Sequence, residues 1–124
     1  HDQPNAPSGT LAQSGLAMAS ALSDFAAGGG VVVALATNEG VNQMPSFMSA
    51  TGLLNILGAI PASGALTTID LNDAVAYGVA SSFLARTTTV SFLSTETNGG
   101  QVSFVVADTS ITARPVVIHR AAGI

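Results

Sequence analysis

The chain has 124 residues, of which 8% are charged and 48% hydrophobic, and it carries a formal net charge of −4. That length makes one domain at most, large enough to bury about two-thirds of its unfolded surface. Three scattered arginines and no lysine argue against a nucleic-acid partner, since phosphate binding needs clustered basic residues.

The absence of cysteine excludes disulfides, thiolate metal sites and a Cys nucleophile. No apolar run approaches the roughly 20 residues of a membrane-spanning helix. Uncharged Ser, Thr, Asn and Gln must therefore supply most of the wet surface. Such a surface repels copies of itself weakly, which favours self-association.

Residues 1–9 (HDQPNAPSG) carry Pro4 and Pro7 and no hydrophobic period, and read as an N-terminal arm. Residues 10–124 read as a single α/β domain, or as part of a larger precursor domain. The first residue is His1 and not Met, so the chain is expected to be a processed or partial product whose signal peptide, if any, has gone. Ser8 and Thr10 are candidate N-caps for the helix that follows.

Leu11, Gly15, Met18, Leu22 and Phe25 are spaced four, three, four and three, which predicts one stripe of an amphipathic helix over Leu11–Ala27. Gly28, Gly29 and Gly30 stop it. Val31–Ala36 is apolar without alternation and β-branched at its start, which predicts a strand covered on both faces. A helix feeding such a strand is half of an α/β repeat. The expected fold class is α/β, a mostly parallel sheet flanked by helices, with an antiparallel β-hairpin in the C-terminal third.

The polar loop Thr37–Gln43 would lie at the carboxyl end of that strand, the edge where open α/β sheets bind ligands. Asn38, Glu39, Asn42 and Gln43 are its candidate ligand-binding side chains. Glu39 has no partner base nearby in sequence, so a solvated carboxylate is the default for it. Pro45 suits the first turn of a short helix through Phe47, Met48 and Ala50, stopped by Gly52. Leu53–Ile60 is apolar but broken by Asn55 and Gly58, as expected of an irregular buried segment or short strand.

Leu66–Ile69 predicts an edge strand. Asp70–Asp73 should cap a short helix over Ala74, Val75 and Tyr77 that ends near Gly78. With Asn72, those aspartates offer three oxygen donors, too few for the six to eight that Ca²⁺ prefers. Thr87–Thr95 and Gln101–Ala107 are β-rich and predict a hairpin turning at Asn98–Gly100. Pro115–His119 gives a last strand.

The run DFAAGGGVVVALATNEG…MPSF…TGLL, followed by a β-rich tail ending in RPVVIHR, resembles the later part of glutamine-amidotransferase-like α/β domains. The resemblance implies a flavodoxin-like parallel sheet whose first βα units would precede His1. Many non-catalytic versions of that domain occur in exported bacterial proteins. Its enzymes use a cysteine nucleophile with a downstream His and a Glu two residues later. This chain has no cysteine, and His119 is followed by Arg120 and Ala121, so no catalytic residue carries over.

His1 and His119 are the only histidines. A free N-terminal His supplies an amine and an imidazole nitrogen, and a second His would complete a three-nitrogen copper site. A boundary residue and a strand end are the simpler roles for the pair. Ser81, Ser82 and Thr87–Thr89 lack the elbow of a serine hydrolase. Gly28–Gly30 precede a strand, whereas dinucleotide loops follow one.

The leading expectation is a non-catalytic extracellular or cell-surface structural protein that self-associates, as a fibre or other homopolymer. A small-ligand-binding module using the Thr37–Gln43 loop is the first alternative. A copper protein using His1 is the second.

Overall fold

The structure, a computed structural model, describes residues 7–38, 43–93, 95–96, 102–109 and 113–121. Two α-helices open the fold. Helix α1 spans Thr10–Ala27 and α2 spans Met44–Thr51. The N-cap of α1 is Gly9, in the left-handed region at φ 84°, with no side-chain cap from Ser8 or Thr10. Instead the Oε1 of Gln43 accepts the Leu11 N–H at 3.4 Å, satisfying one of the orphan donors of the first turn. At the other end Gly28 and Gly30 donate back to Asp24 and Phe25 at 2.9 Å, so the glycine stop lies where the sequence puts it.

The two helices pack at Gly15. A Cβ there would lie 2.6 Å from the backbone oxygen of Phe47, so only glycine permits this approach. Helix α2 has Pro45 in its first turn and ends at Gly52, left-handed at φ 73°. The carbonyls just past its end meet a cation: Arg120 Nη1 donates to the Leu53 carbonyl at 2.9 Å and to that of Gly52 at 3.4 Å.

Eight short strands follow among the described residues: β1 Asn55–Ile56, β2 Ala59–Pro61, β3 Ala65–Thr68, β4 Ser82–Leu84, β5 Val90–Phe92, β6 Thr95–Glu96, β7 Val102–Asp108 and β8 Arg114–Arg120. β1 pairs with β6, β2 with β5, and a four-stranded sheet has the order β4-β3-β7-β8. Every pairing among the described residues is antiparallel.

The mostly parallel α/β sheet is therefore not the fold, nor is the flavodoxin-like sheet that the resemblance implies. The physical reason lies in the connections. Parallel neighbours need a crossover of a dozen or more residues, usually through a helix. After α2 the described chain offers only the 3-10 turn Ala74–Ala76.

Two other pairings differ from expectation. The C-terminal hairpin joins β7 to β8, not Thr87–Thr95 to Gln101–Ala107, because β3 and β8 occupy both edges of β7 while β5 pairs with β2. The Asn98–Gly100 turn lies outside the described residues. β3 is not an edge but sits between β4 and β7. Asp73 does cap the 3-10 turn, accepting the Val75 N–H at 2.9 Å, and Gly78 follows at φ 77°.

The core has two parts. Leu66, Ala76, Val105 and Val106 centre one on the four-stranded sheet. Met44, Met48 and Ile56 centre the other, where α2 meets Leu11, Ala34, Ala36 and Ile118.

Candidate functional site

Gly30–Asn38 leads away from α1 outside any helix or sheet of the described residues, and it is here that the structure departs most from a closed fold. Among the described residues no backbone hydrogen bond is made by Val31–Ala36, and the run is anchored beyond its end by Asn38 N donating to Thr88 O at 3.1 Å. The side chains alternate. Val32, Ala34 and Ala36 are half-buried against the helices, whereas Val31, Val33 and Leu35 are 79%, 73% and 60% exposed. The expectation of a strand covered on both faces thus fails on one face: this is a strand-like run without a sheet.

A groove of about 1410 Å³ opens beside it. Met44, Met48 and Ile56 lie along its floor, and β5 and β8 contribute its other wall. β8, which lines the groove, is an end strand of its sheet among the described residues. Arg86 and Arg120 are the charged side chains that line it, together with His119.

Of the residues predicted to bind a ligand, Asn38 and Gln43 are described. Asn38 is exposed, while Gln43 is 4% exposed and spends its Oε1 on the first turn of α1. Glu39 and Asn42 lie outside the described residues, as does His1.

His119 has a partner. Its Nε2 lies 2.5 Å from Asp73 Oδ2, tying the end of β8 to the 3-10 turn 46 positions earlier. The His119 hydrogen bond, then the Val75 N–H, hold the Asp73 carboxyl below its ordinary value of 3.8. A carboxylate that fixes a histidine ring is a feature of metal and catalytic sites alike. Here it comes without further ligands, for no group of three His, Cys, Asp or Glu gathers among the described residues.

Sequence reasoning missed one buried polar group. Asp108 and Ser91 are wholly buried, and Arg114 reaches both: Nε donates to Ser91 Oγ at 3.1 Å and Nη2 lies 3.8 Å from Asp108 Oδ2. The available signal was an acid and a base flanking a five-residue connection, which places them opposite each other once the hairpin is recognised. The group joins β5 to the β7–β8 hairpin and reads as structural.

Comparison with family models, curated proteins and solved structures finds no match for this chain. No helix among the described residues is long and apolar enough to cross a membrane.

Proposed function

We propose that the protein is a non-catalytic structural subunit of the cell surface or extracellular space, built to associate with copies of itself. The observation that carries this reading is the Val31–Ala36 run, without a backbone hydrogen bond among the described residues and with Val31, Val33 and Leu35 turned to solvent. An open, uncharged, apolar strand is a template for pairing with another chain. Natural monomers protect such edges with charge, proline or a covering element. No charged residue lies between Asp24 and Glu39 to do so here.

The composition supports the same reading, because ten charged side chains in 124 give copies little mutual repulsion. Sedimentation velocity across a micromolar concentration series tests it. Species larger than the monomer should appear as concentration rises, and electron microscopy should then distinguish fibres from closed oligomers. A single monomeric species throughout would refute the proposal.

A second reading, a small-ligand-binding module, draws on the groove. Its apolar floor and three basic or imidazole side chains suit an apolar molecule with an acidic end. Quenching or enhancement of a fatty-acid fluorescent probe, lost on Met48→Glu, would favour that reading over the first.

A further inference from the structure

We infer that Val31–Ala36 is a homotypic pairing strand, which aligns antiparallel with the same segment of a second copy about a two-fold axis at Val33. The inference rests on the self-association reading and specifies its interface. Three observations carry it.

The first is the missing hydrogen bonding. Val31–Ala36 alternates in exposure as a strand does, yet none of its backbone groups is bonded among the described residues. A second copy of the run supplies matching donors and acceptors, because an antiparallel pair about a two-fold axis is self-complementary.

The second is the alternation. Directly opposite residues in an antiparallel pair point to the same face. An axis at Val33 sets Val31 opposite Leu35 and Val32 opposite Ala34. Outer side chains then meet outer ones, and inner meet inner. A one-residue slip would set Val31 against Ala36 and mix the two faces, so the pattern itself rejects it. Moving the axis to Ala34 keeps the faces but sets Val31 opposite Thr37, and matches one fewer apolar pair on the exposed face.

The third is the extent of the patch. Phe25, 55% exposed, lies against Gly30, and Met18, 46% exposed, shares a hollow with Val33. With Val31, Val33 and Leu35 they make five exposed apolar side chains per copy. At on the order of 100 Å² each, two copies approach the roughly 1,000 Å² that a specific interface needs. Like-charge repulsion does not oppose the approach, since the 14 residues between Asp24 and Glu39 are uncharged.

Single-cysteine crosslinking tests the geometry, because the chain has no cysteine of its own. Opposite residues in an antiparallel pair have Cα atoms about 4.5–5.5 Å apart, within the span of a disulfide. Val33→Cys should therefore give a covalent dimer under mild oxidation. Leu84→Cys, on the open edge strand β4 and 76% exposed, should stay monomeric on the same gel. Both sites are exposed, and matching circular dichroism spectra would confirm that both variants fold. Val33→Asp should raise the dissociation constant about tenfold or more, since it sets like charges face to face. If the chain sediments as an oligomer but Val33→Cys does not crosslink, or Leu84→Cys crosslinks in its place, this interface is wrong while self-association stands. If the chain is monomeric at every concentration, both proposals fall together.

Discussion

Asp108 and Arg114 face each other at the turn end of the last hairpin, register partners whose carboxylate and guanidinium lie 3.8 Å apart. Asp108 is wholly buried there, and the Arg114 side chain retains 13% of its exposure. Such a pair is a poor source of net stability but a costly thing to break. Arg114→Ala should destabilise the fold by about 3–5 kcal/mol, because it removes the cation that faces a wholly buried carboxylate. Asp108→Asn in the Arg114→Ala background should recover part of that loss, as read by urea unfolding.

Asp73 predicts a pH dependence whose sign is fixed by its direction of shift. Its carboxyl titrates below 3.8 in the folded protein, so the unfolded chain binds the proton first as pH falls. The stabilisation from the His119 and Val75 contacts is complete above the ordinary carboxylate range. It is lost as pH drops from about 4 through the lower folded value. Asp73→Asn keeps a capping oxygen but no titration at this site. The stability difference between wild type and variant should be constant above about pH 5 and should change below about pH 4.

Gly15→Ala sets two effects against each other. Helix propensity favours alanine by about 1 kcal/mol. The new Cβ would stand 2.6 Å from the Phe47 carbonyl oxygen, which is backbone and cannot swing aside. Separation of α1 from α2 should dominate, with a net loss of about 1–3 kcal/mol in thermal or chemical denaturation.

The hydrophobic stripe of α1 is less buried than its spacing suggests, and truncations should show it. Leu66, 1% exposed at the centre of the sheet core, should cost about 2–5 kcal/mol when changed to alanine. Phe25, 55% exposed, should cost less than about 1 kcal/mol in the monomer. A large monomer effect at Phe25 would mean that its contact with Gly30 orders the Val31 run.

What the sequence disclosed divides along the range of the interactions. Local signals translated directly: the extent of α1, the glycines after Ala27, Pro45 and Gly52 around α2, and Asp73 before its turn all depend on neighbours in sequence. Pairing partners did not translate. Alternation in Val90–Phe92 and Val102–Val106 says that each strand has two faces, but not which strand lies beside it. The run VVVALA misled most, because an uncharged apolar stretch looks the same whether both faces are covered within the chain or one awaits a partner. Of the proposed site residues, Gln43 shows the same limit. Its place in a polar loop gives no sign of its tertiary partner, the Leu11 N–H.

The clasp of Arg120 on the end of α2 has a bearing on synthesis. It joins positions 67 and 68 residues apart, so the helix emerges from a ribosome well before its guanidinium does. At about 5–20 residues per second that interval is roughly 3–13 s. Throughout it, β8 is missing from the far wall of the groove, and the nascent chain presents VVVALA alone. Neighbouring ribosomes on one message hold several such chains close together, so translation itself brings bare copies of this run within reach of one another.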